Sequence, residues 1–340
     1  MKLATLVCRC YTAGDFQHFS EEHLTESVAA PLVLQTDTFV VNVLPALGGK
    51  IASMRSNGVE LLQQPLHSYA PRTATMAFEE SDASGFDECL PSVAACEVNT
   101  PSGIVSIPDH GEIWRLPCEV KSQSRKEIHL TAVGSTLPLR FDRRLRLSKS
   151  SEGGSATLSI AYEVENMGQD TIHYAWSAHP LFAVDPGDRI LLPSSVTKVT
   201  VEGSAGNRLG AKGAALSWPL AKSAAGNRVA LDVTGDVSDN IGDKIYASAP
   251  PEGWCAIERK SAGLRVQVEF DPRLSPFLGL WLCYGGWPEN GTRRQYCVAL
   301  EPCTSPVDSL AAAMEDGHAK KLAPGQCDFW WMQIVTTVVS

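Results

Sequence analysis

An all-β chain, built as a large antiparallel β-sandwich with few short helices, is the fold class this sequence predicts, and three observations carry it. Apolar and polar residues alternate with a period of two in many short runs, glycine, proline and asparagine turns separate those runs, and helical periodicity is scarce. Residues 38–44 and 50–55 alternate as strands. Ser56-Asn57-Gly58, between 50–55 and 59–62, marks a hairpin, because Asn-Gly is the strongest short turn signal. Residues 156–164 alternate cleanly and end at Asn166-Met167-Gly168, so 171–178 is expected to return as the partner strand of a second hairpin. Residues 264–270 and 330–339 add strands with one polar face toward water. Only 306–314 and 16–26 read as helical. The stretch 203–226 is rich in glycine, alanine and serine, with strand-like sequence on both sides, and reads as a long surface insertion rather than a domain linker. No fixed repeat occurs. A single domain over residues 1–340 is expected, with 1–34 as an irregular N-terminal segment.

Composition narrows the function classes. A charged fraction of 20% with 44% hydrophobic residues belongs to a folded chain rather than a disordered one. The net charge of -9 leaves no basic surplus for neutralising phosphates, which excludes nucleic acid as the expected partner. Ten cysteines occur without any CxxC pair, the closest two being Cys8 and Cys10, and such scattered thiols point to a reducing compartment. Arg9 interrupts the short apolar N-terminal run, and no window approaches the ~20 apolar residues of a membrane span. A cytoplasmic protein with no membrane partner is therefore expected.

The residues that could carry chemistry lie at strand ends. In Cys297-Val298-Ala299-Leu300-Glu301-Pro302-Cys303 a carboxylate closes an apolar run, where desolvation would raise its pKa toward that of a general base. Trp176-Ser177-Ala178-His179-Pro180-Leu181-Phe182 repeats the pattern with an imidazole. Asp109-His110-Gly111 and Phe86-Asp87-Glu88-Cys89 are two further polar segments. A metal held by His110, His179, Asp87 and Glu88 is not expected, because the close ligand spacing of zinc sites is missing. Gly-x-Ser-x-Gly elbows, phosphate loops and dinucleotide fingerprints are absent as well, so no cofactor is expected.

At these motifs, and over roughly residues 35 to 338, the chain resembles the aldose 1-epimerase (galactose mutarotase) superfamily. The resemblance lies in Asp109-His110-Gly111, in Ala178-His179-Pro180-Leu181-Phe182, in Leu300-Glu301-Pro302, and in Leu322-Ala323-Pro324-Gly325-Gln326 before a final aromatic strand. It implies a large β-sandwich that interconverts the α- and β-anomers of an aldose, with Glu301 as base, His179 as acid and His110 as a second hydrogen-bond donor. The Asn-Arg-Ile motif of that family is missing, with Arg72 as its candidate substitute. Asp87 and Glu88 fall in a loop that typical members lack, and Asp243 is the counterpart proposed for a sugar-binding aspartate. Alanine stands before His179 where the family has asparagine.

For His179 to act as an acid it must be cationic, which calls for a nearby carboxylate. Trp176, Trp281, Tyr284 and above all Trp287, in Gly285-Gly286-Trp287-Pro288, are candidate flat faces for sugar C–H groups. The partner expected is a small sugar, bound by a monomer or homodimer. Three rivals stand beside this reading: a non-catalytic carbohydrate-binding sandwich, a glycosidase pairing Glu88 with Glu301, and a hexose-phosphate mutarotase using Arg143, Arg144, Arg293 or Arg294.

Overall fold

The computed structural model of the chain describes residues 30–149, 156–289 and 291–339. The helix expected at 16–26, and nearly all of the expected N-terminal segment 1–34, lie outside the described residues. Strand accounts for 51% and helix for 7%, which makes the chain all-β as the alternation predicts. Two large antiparallel sheets hold most of it, one of eleven strands and one of eight. A single apolar cluster draws on both: Val41, Phe86, Leu280 and Leu300 come from the larger sheet, and Leu145, Ile160, Val268 and Ile334 from the smaller. The core therefore sits between the sheets, as in a β-sandwich.

Local chemistry explains most elements. The strands Phe39–Leu44 and Lys50–Ser56 pair, and Lys50–Ser56 turns through Asn57 and Gly58, both at positive φ, into Val59–Glu60. The expected hairpin after residue 166 does not form. Ala156–Asn166 pairs instead with Leu139–Lys149 and Cys327–Val338, while the chain goes on to Ile172–Tyr174, which pairs with Lys320–Leu322 in a small separate sheet, and then to Ser177–Ala183 in the larger sheet. Alternation identified both segments as strands, but pairing is decided by which apolar face each can bury. Nor is 203–226 a plain insertion. It contains Ala215–Ser217 at the edge of the larger sheet and Leu220–Lys222, which pairs with Arg228–Ala230. The expected helix at 306–314 is observed as Leu310–Glu315, capped by the Ser309 hydroxyl accepting from the amide of Ala312.

Period-2 alternation has one consequence that organises the chemistry. In Phe86–Cys89, Phe86 and Glu88 face the space between the sheets, and Asp87 faces the other way. Glu88 is fully buried there, accepting from Tyr162 Oη at 2.9 Å and Trp176 Nε1 at 2.8 Å, with Arg143 at 3.1 Å. Burial outweighs Arg143 and both hydrogen bonds, so the carboxyl is pushed up to about 7 from an ordinary 4.5.

The folded chain thus holds this proton more tightly than the unfolded chain does. Glu88 favours folding most below about 4.5, and that contribution is lost as pH rises through about 7. Glu88→Gln is expected to gain stability relative to the wild type across this interval, by roughly 1 kcal/mol per pH unit, read from urea midpoints. Parallel pH curves for the two proteins would contradict it.

Candidate active site

Five separate stretches of chain meet in one transverse row on the face of the larger sheet that points away from the other sheet. Asp87 opposes His179, Glu301 opposes Gly279, and Gly279 opposes Tyr246. Ser177 opposes Cys303 and Leu181 opposes Ala299, a register that sets His179 against Glu301. His179 and Glu301 therefore stand side by side although more than a hundred residues separate them, and both line a cleft of about 350 Å³. Phe78, Asp109, His110 and Trp287 close it from the loops above, with Lys244, Trp281, Gln295 and Asp308 completing the floor and wall.

Glu301 is fully buried at the base of this cleft. Its Oε2 accepts from Lys244 Nζ and from Ser177 Oγ at 3.3 Å. Its Oε1 has no hydrogen-bond partner among the described residues. A buried carboxylate oxygen left unpaired is costly, so it marks a place where a ligand hydroxyl fits. Burial raises the pKa of Glu301 against the pull of Lys244, Asp308 adds to the rise, and His110 opposes it.

The two imidazoles are held differently. His110 sits at φ 58 before Gly111 at φ 68, where a Cβ would lie 2.1 Å from the Leu90 carbonyl oxygen, so only glycine completes the turn. Asp109 Oδ2 lies 2.8 Å from His110 Nδ1, and the ring stacks on Phe78 at 3.7 Å. Burial first, then hydrogen bonding and charge from His110, act on Asp109, and the histidine prevails, lowering its pKa. His179 meets His110 edge to face at 5.1 Å. Burial, reinforced by His110, Lys244 and Lys50, drives the pKa of His179 well down. The sequence-based expectation of a cationic His179 beside a raising carboxylate is thus reversed: this ring is held neutral.

No family model and no curated protein matches the chain. Solved structures do. The chain is similar to an aldose 1-epimerase candidate of Escherichia coli K12, with a TM-score of 0.66 at 16% identity, covering 91% of this chain and 99% of that one. It is also similar to a galactose mutarotase related enzyme of Lactobacillus acidophilus, with a TM-score of 0.63 at 14% identity, covering 91% and 97%. A galactose mutarotase-like protein of Lactobacillus casei gives 0.60 at 14%, covering 90% and 99%.

The chain has the galactose mutarotase-like fold.

Within that fold, the sequence-predicted residues divide in two. His110, His179, Glu301 and Trp287 line the cleft, and so does Trp281. Arg72, Asp87, Glu88 and Asp243 do not. Arg72 is buried with its guanidinium taken by Asp82 at 2.8 Å, Asp87 at 3.0 Å and the carbonyl oxygens of Leu47 and Trp114. Asp87 is held in turn by Lys50 at 2.6 Å, and it belongs to a strand rather than a loop. Glu88, on the opposite face from Glu301, cannot form a glycosidase pair with it.

Asp243 is fully buried against Ser204 at 2.5 Å and Arg208. Asp243, the proposed sugar-binding counterpart, therefore points to the face away from the cleft, while its neighbour Lys244 lines it. Trp176 and Tyr284 are interior, and Arg143 is buried with Glu88. Arg293 and Arg294 donate to the Leu66, Gly285 and Glu289 carbonyl oxygens, which leaves a phosphate group no arginine in the cleft.

Lys244, Asp308, Gln295 and Phe78 were missed by sequence reading. The pattern Asp243-Lys244-Ile245-Tyr246 contained a signal, since Lys244 and Tyr246 share the face opposite apolar Ile245. Among the described residues the only acidic and thiol group spaced for a metal is Glu163, Glu165 and Cys327, on the smaller sheet and away from the cleft. Arg140 occupies both carboxylates there.

Because Arg72 binds two buried carboxylates rather than a ligand, Arg72→Met should act on folding. A loss of about 3–5 kcal/mol in urea unfolding is expected, the size of an orphaned buried charge. A variant as stable as the wild type but impaired in sugar binding would overturn this placement.

Proposed function

We propose that the chain interconverts the α- and β-anomers of an unphosphorylated aldose by acid/base ring opening. The observation that carries this reading is the unpaired Glu301 Oε1 at the base of a cleft that also presents two imidazoles. The galactose mutarotase-like neighbours support it. In this reading Oε1 takes the proton from the C1 hydroxyl, the bond between C1 and the ring oxygen breaks, and the ring oxygen receives a proton from the imidazole pair. The aldehyde turns about its bond to C2, and closure on the other face returns both protons. His110 is the better equipped donor, because Asp109 fixes its Nδ1 and balances charge as the proton passes. His179, held neutral, offers an N–H hydrogen bond to the same oxygen. Trp281 and Trp287 supply flat faces for the sugar C–H groups. We place the protein in the cytoplasm, a reading supported by the unpaired thiols of its eight described cysteines. No helix among the described residues is long and apolar enough to cross a membrane.

Polarimetry on freshly dissolved glucose and galactose tests the proposal, and acceleration over the spontaneous rate is the expected result. Glu301→Gln and His179→Asn should each lower the catalysed rate by roughly a hundredfold or more while keeping the wild-type circular dichroism. An unaccelerated rate over a panel of aldoses would leave only a carbohydrate-binding sandwich.

The pH profile follows from the direction of the Glu301 shift. Only the ionised carboxylate accepts a proton, and burial raises its pKa above the ordinary 4.5. The rate constant kcat/KM should therefore fall on the acid side with a midpoint above that of an ordinary glutamate. A midpoint at or below it would contradict the burial of the working base.

A further inference from the structure

Lys244 stands out because it is the only lysine or arginine among the described residues that line the cleft. It projects from Ile241–Ser248, two strands away from the strand that carries Glu301. Its ammonium nevertheless contacts Glu301 Oε2. Gly279, on the intervening strand, opposes Glu301 directly. A Cβ there would come within 2.9 Å of Glu301 Oε2 and 3.1 Å of the Tyr246 ring. The missing side chain keeps open the passage through which the lysine reaches the carboxylate. The other face of the ammonium is bounded by Asp308 Oδ1 at 3.9 Å and by the Tyr246 ring, 5.2 Å away. Tyr246 Oη donates to the same Asp308 oxygen at 2.6 Å, which fixes that second carboxylate in turn. Lysine at this end of the row is thus surrounded by groups that hold it in one place.

We infer that Lys244 is a positioning residue: it occupies Oε2 of Glu301, together with Ser177, and so turns the unpaired Oε1 toward the ligand in ionised form. The inference rests on the proposed base role of Glu301 and adds the group that makes that role work at the bottom of an apolar cleft. Without the ammonium, Glu301 would keep only the Ser177 hydroxyl, at 3.3 Å, as a hydrogen-bond donor. Either carboxylate oxygen would then be free to turn inward, and protonation would relieve the burial. The groups facing Glu301 are Lys244 and Tyr246 on one side, Ser177, His179 and Cys89 on the other, His110 and Asp308 from the loops, and the thiols of Cys297 and Cys303 on its own strand. Of these only Lys244 combines a positive charge with direct contact, and its own pKa is raised because Glu301 and Asp308 outweigh its burial. An opposite charge in contact typically moves a carboxyl by about one to three pH units.

Two variants and a conservative control test this. Lys244→Met should move the acid limb of the kcat/KM profile upward by at least about one pH unit, because losing the cation favours the protonated carboxyl. Lys244→Arg should return the limb toward its original position. Gly279→Ala, which leaves the lysine in place but crowds it from Glu301, should shift the limb in the same direction as Lys244→Met. Carbon-13 NMR titration of the Glu301 carboxyl reads the same shift without turnover, so it stands even if no aldose proves to be a substrate. A uniform fall in rate with an unmoved acid limb and an unmoved Glu301 titration would overturn the inference.

Discussion

Burying charge on one face of a sheet is the constraint from which the site of this protein follows. The face of the larger sheet that points away from the smaller one carries Lys50, Asp87, Lys244 and Glu301, all at most 8% exposed. Charges so placed are stable only in neutralised sets with their remaining hydrogen bonds made. Lys50 and Arg72 balance Asp82 and Asp87 on one side of the row, and Lys244 lies between Glu301 and Asp308 on the other. The first set is closed in the sense that each carboxylate is taken by cations. The second leaves one carboxylate oxygen open. That difference separates a group that locks the sheet to its covering loops from one that can do chemistry.

The contrast reaches the neighbouring strand position. Asp87 and Glu88 are adjacent, yet one belongs to the ionic set above the sheet and the other to the aromatic interior with Tyr162 and Trp176. Phe86, in the same strand, packs against the guanidinium of Arg143 at 4.8 Å, which helps that cation to reach Glu88. The sandwich interior and the cleft face thus share a backbone, and the charge of Asp87 on one face adds to the upward shift of Glu88 on the other.

The all-β class, most strands, and the Asn57-Gly58 turn were legible in the sequence, because alternation and turn chemistry are local properties. His110, His179, Glu301 and Trp287, which line the cleft, were picked out through short motifs at strand ends and in turns. The rest was not, for identifiable physical reasons. Arg72 and Asp87 have the composition of ligand-binding groups, and only their mutual pairing shows that they are spent on each other. Asp243 and Lys244 differ by one position, and a short motif resemblance does not fix which of two adjacent residues faces a cleft. The protonation of His179 was misjudged because burial lowers its pKa first, with His110, Lys244 and Lys50 adding to the fall. The absent hairpin after Gly168 failed for the related reason that alternation describes a strand's faces and says nothing of its neighbours.

The transverse row joins residue 87, residue 179 and residue 301 through pairings far apart along the chain, and residue 279 joins it from the strand just before that of residue 301. Each long-range pairing closes a long loop, and that entropic cost is offset only when the neighbouring strand docks. A chain that has made only its hairpins has Gly279 beside Glu301 but still lacks Ser177, His179 and Lys244. Assembly of the cleft is therefore tied to completion of the larger sheet rather than to any one hairpin.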